Sequence, residues 1–306
     1  MRLVTYTFRG TSRAGAMLDD DRVVDLERAA ARGADAPPSD LLALLRAGDA
    51  GLARARAALA EAQRRVARDA DGMRAEGVLF DVHEPGFGFA APIPQPGKAL
   101  AIGLNYRAHA AETGATLPER PIVFTKVDTS LSAPGAPIHV PKVSSNVDWE
   151  GELVVVIGRD ARHVTSEHAL EHVAGYMNGN DVSVRDFQRH AATWTMGKGF
   201  DTHGPTGPYL VTTDEIPDPG ALQLRTYVND VLKQDSPTND LIFAVPTLIA
   251  YISQAMTLRP GDIIFTGTPS GVGQARKPPE WLTPGDTVRI SISGLGDLVN
   301  PVIAEP

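Results

Sequence analysis

The first 85 residues combine short apolar runs with longer stretches of helical periodicity. The pattern predicts two strands and two helices, over residues 2–8 and 22–26 and then over residues 39–47 and 51–70. The stretch between the two strands is rich in Gly and Asp, which is typical of a turn. Ser39 is the expected N-cap of the first helix, and Gly48 is the expected break before the second. We therefore expect a small N-terminal α/β domain.

A stretch rich in Pro and Gly, from Pro85 to Gly97, is predicted to separate domains 1–85 and 97–306. Beyond it, the apolar runs are short and β-branched, and Pro-Gly turns separate them. The predicted strands are residues 123–124, 153–157, 222–228, 263–265 and 288–292, and the predicted helices are residues 105–113, 166–173, 184–191 and 245–256. Because the helices are few and do not alternate with the strands, a doubly wound sheet is disfavoured. The fold class predicted is α+β, rich in β-structure, with peripheral helices.

Composition and charge exclude several classes of function. The chain has 306 residues, no cysteine and a net charge of −8, of which residues 77–306 carry −9. Such a balance argues against nucleic-acid binding, and the lack of cysteine excludes thiol nucleophiles and thiolate metal sites. We expect a cytoplasmic protein without a membrane span, because the longest apolar run, Leu241–Met256, is too short. An acidic catalytic half is unfavourable for an anionic substrate unless a cation compensates it.

Two acidic residues enter a strand that otherwise has a core pattern. Glu150 and Glu152 are spaced i, i+2, so both side chains lie on one face of the strand. Buried like charges require a cation, and carboxylates suit Mg²⁺ or Mn²⁺. The alternative interpretation is an exposed strand end at which both acids are solvated, because it has the same i, i+2 spacing.

Three further motifs each have a structural and a chemical interpretation. Asp181 follows a Gly-rich stretch and is either a helix cap or a metal ligand. His109 and Glu112 are spaced i, i+3, as in an exposed helix pair or in a general base with its orienting carboxylate. Lys198 lies between two glycines in a chain with only 6 Lys against 23 Arg, and is either a solvated loop residue or an anion ligand.

A Gly-rich segment, Thr266 to Gly273, follows the predicted strand 263–265. It brings backbone N–H groups and hydroxyls close to a ligand. The segment lacks the Gly-Lys-Ser/Thr ending of a phosphate-binding P-loop, so nucleotide binding is rejected.

Taken in chain order, these motifs resemble the fumarylacetoacetate hydrolase superfamily, in its acylpyruvase and 2-hydroxyhepta-2,4-diene-1,7-dioate isomerase-like branch. Six segments carry the resemblance: residues 109–112, 121–126 ending in Lys126, 149–153, 180–183, 198–202 and 266–273. The resemblance covers residues 97–304. It implies a mixed β-sandwich or β-roll catalytic domain, a homodimer, and one Mg²⁺ or Mn²⁺ per subunit.

The resemblance also implies roles for individual residues. Glu150, Glu152 and Asp181 match the metal ligands, and His109, Glu112 and Lys198 match the catalytic residues. The substrate-binding candidates are Thr268, with Thr266 as its alternative, and Gln188, Arg107 and Tyr106. Gly199 stands where many relatives have Ser, and His203 is a candidate for restoring the lost polarity.

The function implied is hydrolysis of a C–C bond in a 2,4-diketo acid such as an acylpyruvate. An oxaloacetate-type decarboxylase and a keto–enol tautomerase or isomerase are the alternatives, and a non-catalytic small-acid sensor is the least favoured. The expected partner is a small anionic 2-oxo acid, with no nucleic acid and no membrane. Arg107, Arg120 and Arg276 are either ligands of a second substrate carboxylate or surface residues.

Overall fold

The computed structural model describes residues 1–30 and 35–306. Its strands are β1 (Arg2–Phe8), β2 (Thr11–Met17), β3 (Arg22–Asp25), β4 (Leu79–Asp81), β5 (Phe87–Phe89), β6 (Ala99–Gly103), β7 (Ile122–Lys126), β8 (Leu131–Ser132), β9 (Ile138–Val140), β10 (Val147–Asp148), β11 (Gly151–Ile157), β12 (Val173–Asn180), β13 (Ser183–Val184), β14 (Gly204–Thr212), β15 (Gln223–Val228), β16 (Val231–Pro237), β17 (Ile263–Phe265), β18 (Thr287–Ile292) and β19 (Asp297–Ala304). Its α-helices are α1 (Leu41–Arg46), α2 (Gly48–Ala75), α3 (Arg107–Thr113), α4 (Arg185–Gln188), α5 (Thr195–Lys198) and α6 (Val245–Ala255). The strand-rich α+β class predicted from the sequence is confirmed.

Two sheets form a sandwich around the main core. The larger sheet has the order β4-β3-β2-β1-β14-β12-β11-β17-β6-β7, and β16-β15-β18-β19-β9 form the smaller one. Val155 and Tyr176 of the first pack in one apolar cluster with Leu224 and Ile290 of the second. Helices α1 and α2 cover the other face of the larger sheet. There Leu44 and Ala55 share a cluster with strand residues of β11.

The N-terminal segment joins the larger sheet through β1. This strand pairs antiparallel with β14, where Leu3 lies opposite Leu210, and also with β5 from the Pro- and Gly-rich stretch. Residues on both sides of the proposed boundary therefore contribute to one continuous sheet. The division at Pro85–Gly97 stays a prediction. No helix in the described ranges is long and apolar enough to cross a bilayer.

Several local predictions were wrong. The side chain of Asp40, rather than that of Ser39, caps α1 by accepting a hydrogen bond from the Ala43 N–H at 2.7 Å. The predicted helix 166–173 is a short 3₁₀ turn, Ala169–His172, that leads directly into β12. The Gly- and Asp-rich turn after β1 contains β2, whose small residues pack against Tyr6 and Val23.

The sequence pattern did not predict strand β12, because glycines interrupt its run of apolar residues. Those glycines are required by close packing: a Cβ on Gly175 would lie 2.1 Å from the carbonyl oxygen of Val211, and one on Gly179 would lie 2.4 Å from Cγ2 of Val154. Strands β11 and β12 pair antiparallel with Gly151 opposite Asn180. This register brings the residues just outside the pair, Glu150 and Asp181, next to each other.

Candidate metal centre and catalytic cavity

Three carboxylates meet where β11 begins and β12 ends. The backbone N–H of Asp181 donates to the carbonyl of Glu150 at 2.9 Å, and the Glu150 N–H donates to Oδ1 of Asn180 at 2.9 Å. Glu152, two residues along the strand, joins them, and all three side chains are buried. One oxygen from each of the three lies within 4.8 Å of the others. The structure thus brings together the three residues predicted as metal ligands and excludes their interpretation as a solvated strand end.

Buried cations hold two of these carboxylates. The Nζ of Lys198 lies 2.7 Å from Glu150 and 2.6 Å from Asp181, and the Nζ of Lys126 donates to Asp181 at 2.7 Å. Arg185 contacts the second oxygen of Glu150 at 2.7 Å. Burial opposes ionisation of Glu150, but the charges of Arg185 and Lys198 lower its pKa to about 2. Glu150 is therefore ionised at neutral pH.

Among the described residues, no basic side chain forms an ion pair with Glu152. Its Oε2 accepts a hydrogen bond from the Gly267 N–H at 2.7 Å. Burial raises its pKa well above the usual range, and the negative charges of Asp181 and Glu150 raise it further. Of the three carboxylates, Glu152 is therefore the one whose negative charge is least compensated by neighbouring cations.

The donor set fits a divalent cation. Among the described residues at the site, four buried acids (Asp148, Glu150, Glu152 and Asp181) outnumber three buried basic side chains (Lys126, Arg185 and Lys198). Converging carboxylate oxygens are the ligands that hard cations such as Mg²⁺ and Mn²⁺ prefer. A dication would relieve the repulsion at Glu152 and bring positive charge into the site. Such a charge would favour an anionic ligand despite the net charge of −8 on the chain.

The predicted dyad lies in the same cavity. Nδ1 of His109 is 3.1 Å from Oε2 of Glu112 on α3, and His109 lines a cavity of about 270 Å³ together with the triad. The other carboxylate oxygen of Glu112 accepts a hydrogen bond from the Gly271 N–H at 2.9 Å. Glu112 therefore fixes the imidazole and also ties α3 to the Gly-rich segment 266–273.

The N-terminal end of α3 is held separately. Oδ2 of Asp240 accepts a hydrogen bond from the Ala108 N–H at 3.0 Å. The guanidinium of Arg107 donates to the carbonyls of Asp240 and Leu241 at 3.2 and 2.7 Å. Arg107 is thus turned away from the cavity and serves to hold the helix.

Of the other predicted site residues, some line the cavity and some lie outside it. Thr268, Gln188 and Lys198 line the cavity. The alternative Thr266 does not, because its hydroxyl donates to the carbonyl of Leu153 at 2.9 Å. Tyr106 is fully buried and does not line the cavity.

His203 lies near Gly199 but outside the cavity at the carboxylate triad. Both residues line a separate cavity with Val127 and His139, and Nε2 of His203 is 2.7 Å from the carbonyl oxygen of His139. Burial lowers the pKa of His203 to about 4. The ring is therefore neutral at pH 7, and Nε2–H is the donor in this bond.

Sequence reasoning missed three residues that shape the site. Arg185 holds Glu150 and donates to Oδ2 of Asp148 at 2.8 Å, but one arginine among 23 gives no signal. Gln234 donates to the hydroxyl of Thr268 at 2.8 Å and reaches it from the smaller sheet. Trp194 lines the cavity from a loop, at a position that no spacing rule singles out.

Comparison with known proteins decides the family. The model of the fumarylacetoacetate (FAA) hydrolase C-terminal family matches residues 98–303. The chain belongs to the FAA hydrolase family. An FAA hydrolase from Exiguobacterium antarcticum shares the fold with a TM-score of 0.79 and 31% identity, over 100% of both chains. The resemblance inferred from the six motifs is confirmed.

The relatives in this family carry more than one activity in their names. The chain is 46% identical over 215 residues to the mitochondrial oxaloacetate tautomerase fahd2 of Xenopus laevis, covering 70% of this chain and 67% of that protein. It is 31% identical to the 2-hydroxyhepta-2,4-diene-1,7-dioate isomerase of Mycobacterium marinum, with a TM-score of 0.73 over 100% and 99% of the two chains. Hydrolase, isomerase and tautomerase all occur among proteins similar to this FAA hydrolase-family chain.

Proposed function

We propose that the chain is a divalent-metal-dependent enzyme that converts a small anionic 2-oxo acid through its enol form. The observation that carries this proposal is the placement of His109, oriented by Glu112, in the cavity that the buried carboxylate triad also lines. A general base and a site for a Lewis acid then face the same small molecule.

Glu150, Glu152 and Asp181 would hold one Mg²⁺ or Mn²⁺ per subunit. When bound, the metal withdraws electron density from the 2-oxo carboxylate and makes the hydrogens on C3 more acidic. Lys198 and Thr268 line the same cavity. The positive charge of Lys198 would stabilise the oxygens that gain negative charge, and the Thr268 hydroxyl donates to the carbonyl of Gly151 at 3.0 Å, which fixes its side chain at the wall of the cavity. Glu112 keeps one ring nitrogen of His109 occupied, which leaves the other free to move a proton.

Keto–enol tautomerisation is the reaction we favour. His109 takes a proton from C3 of the keto form and then delivers it to the 2-oxo oxygen, which regenerates the neutral imidazole; the reverse order gives the keto form again. The reaction needs no water and no leaving group. The 46% identity to an oxaloacetate tautomerase supports the type of reaction rather than the choice of substrate, because oxaloacetate carries a second carboxylate.

Hydrolysis of an acylpyruvate is the second candidate, and the extent of the cavity favours it. The cavity continues past Lys198 along Phe124 and Trp194, which gives room for an acyl group. In this reaction, His109 takes a proton from water and the hydroxide adds to the distal carbonyl. The C3–C4 bond then breaks, its electron pair goes to C3, and His109 returns the proton there. The products are pyruvate and a carboxylic acid.

A substrate panel tests the proposal and separates its branches. The enol forms of oxaloacetate and phenylpyruvate and a series of acylpyruvates are supplied with Mg²⁺, Mn²⁺ or EDTA. Loss of enol absorbance reports tautomerisation, pyruvate release reports hydrolysis, and CO₂ release from oxaloacetate reports the decarboxylase alternative. Equal rates in metal and in EDTA, or equal rates for the folded His109→Ala variant, would show that the proposed function is wrong.

The homodimer and the cytoplasmic location belong to the same proposal. The family resemblance supports the homodimer, and the lack of cysteine in the chain is typical of a cytoplasmic protein. Light scattering on the purified chain measures the first, and fractionation of the source cells measures the second.

A further inference from the structure

We infer that the substrate group beyond the 2-oxo acid is neutral and apolar, and that Trp194, Phe124 and Ile122 select it. This inference rests on the proposed function, because it takes the 2-oxo acid to lie at the carboxylate triad. It separates this chain from enzymes whose substrates carry a second carboxylate at that end.

One wall of the cavity is apolar and starts directly beside Lys198. Strands β6 and β7 pair with Gly103 opposite Ile122, and Phe124 lies two residues further on the same face of β7. The Phe124 and Trp194 rings pack edge to face with centroids 5.5 Å apart. The Nζ of Lys198 lies 5.3 Å from the Phe124 ring centroid. A ligand that extends from the triad past Lys198 therefore meets aromatic and aliphatic carbon.

Local backbone features hold Trp194 in this wall. It adopts a left-handed conformation with φ of 60°, which is uncommon for a bulky residue and points to a functional constraint. Its ring occupies the space that a side chain at 103 would need, because a Cβ on Gly103 would lie 2.2 Å from Cζ3 of Trp194. The Trp194 carbonyl accepts a hydrogen bond from the Lys198 N–H at 3.1 Å. The apolar wall and the catalytic lysine are thus positioned by one loop.

No uncommitted cation faces this wall. Among the described residues that line the cavity, the permanently charged cations are Arg185 and Lys198. Arg185 is paired with Asp148 and Glu150, and Lys198 with Glu150 and Asp181. A second substrate carboxylate would therefore lose hydration without gaining a charged partner of its own.

The three arginines proposed for a second carboxylate are placed elsewhere. The Arg107 guanidinium donates hydrogen bonds to the backbone carbonyls of Asp240 and Leu241. Arg276 donates to the carbonyl of Lys233 at 3.0 Å and packs over the ring of Trp149. Arg120 is exposed, and none of the three lines the cavity.

Binding of N-substituted oxamates tests this inference without relying on turnover. In an oxamate, an amide nitrogen replaces C3, so the molecule keeps the 2-oxo acid end but cannot enolise at that position. N-phenyloxamate and N-butyloxamate are compared with N-(2-carboxyethyl)oxamate by titration calorimetry in Mg²⁺. We expect the apolar pair to bind at least about tenfold more tightly, which corresponds to the burial of two methylene groups.

Two variants assign the preference to the wall. Trp194→Ala is expected to weaken binding of the apolar oxamates about tenfold more than binding of the carboxyethyl compound. Ile122→Arg adds a cation at a side chain that is already 38% exposed, and is expected to reverse the preference. Val127→Arg is the matched control, because Val127 is similarly exposed just beyond β7 and lies outside this cavity.

The outcomes separate the two proposals. Tighter binding of the carboxyethyl compound to the wild-type protein, or the same response to Ile122→Arg and Val127→Arg, would overturn the apolar assignment and leave the proposed function standing. Failure of every oxamate to bind a protein that does bind Mg²⁺ would contradict the proposed function and, with it, this inference.

Discussion

The Nζ atom of Lys198 lies between two of the carboxylates assigned to the metal, 2.7 Å from Oε2 of Glu150 and 2.6 Å from Oδ2 of Asp181. Burial disfavours the charged amine, but these two neighbours outweigh that effect and raise the pKa of Lys198. The charged lysine therefore holds both buried side chains in place before any metal or substrate binds. It is a structural cation as well as a candidate for contact with substrate.

Removing that cation should destabilise the protein strongly. In Lys198→Met, Glu150 and Asp181 lose a buried partner, and we expect a loss of about 3–5 kcal/mol in the free energy of unfolding in EDTA. Urea denaturation measures the change. Lys142→Met is the matched control, because Lys142 is exposed. A change below about 1 kcal/mol would contradict the account of the lysine as a structural cation.

Replacing Glu152 by Gln should stabilise the metal-free protein and weaken its binding of Mg²⁺. Its charged form is disfavoured first by burial and then by Asp181 and Glu150, so Glu152→Gln should raise the melting temperature in EDTA. The same change removes a ligand and should lower Mg²⁺ affinity at least about 100-fold. That factor is the upper end of the loss observed when the changed residue only supports a ligand, so loss of the ligand itself should cost at least as much. Calorimetry and thermal melting measure the two effects. If the variant binds Mg²⁺ as the wild type does, Glu152 is not a ligand.

The support of α3 by Asp240 should matter for activity more than for stability. Asp240→Ala removes the hydrogen bond to the Ala108 N–H, a contact of the helix-cap kind worth about 1 kcal/mol. We expect kcat/KM to fall about 5- to 10-fold and amides 108–112 to exchange hydrogen faster. Asp297→Ala on β19 is the control. Unchanged exchange and unchanged kinetics would show that Asp240 does not position His109.

Acid should destabilise the protein partly through His203. Burial lowers the pKa of this residue to about 4 from an ordinary 6.5. The unfolded chain then binds the proton more readily, so the stabilisation is complete above pH 6.5 and is lost as the pH falls through 4. At 1.36 kcal/mol per unit, the wild type should lose about 3 kcal/mol more than His203→Gln between pH 7 and pH 4. Parallel loss in the two proteins would show that His203 titrates normally.

The sequence predicted the chemistry of the site better than its architecture. The spacing of Glu150 and Glu152 identified a strand with one acidic face, and the family resemblance added Asp181. Nothing in the spacing shows that Gly151 lies opposite Asn180, and it is this register that brings Asp181 to the pair. Pairing partners distant in sequence are set by packing, so the residues that support the site from other strands were not predictable.

Two particular errors have simple causes. Ser39 and Asp40 are both favourable N-cap residues. Asp40 caps the helix because its carboxylate accepts a hydrogen bond from the Ala43 N–H. Arg185 gave no signal because arginine is abundant in this chain, although its partner Asp148 directly precedes the motif segment 149–153. Lys198 was identifiable because lysine is rare here and because the family resemblance includes it.

Exchange of the C3 hydrogens of a 2-oxo acid in D₂O tests the central claim most directly, because it reports removal of the C3 proton by His109, the step that the favoured tautomerisation requires. Proton NMR is used to compare wild type, His109→Gln and Glu150→Gln with a substrate from the active panel, in Mg²⁺ and in EDTA. The account predicts Mg²⁺-dependent exchange that falls about 100-fold or more in His109→Gln while that variant still binds Mg²⁺. Undiminished exchange in a folded, metal-binding His109→Gln protein would contradict it.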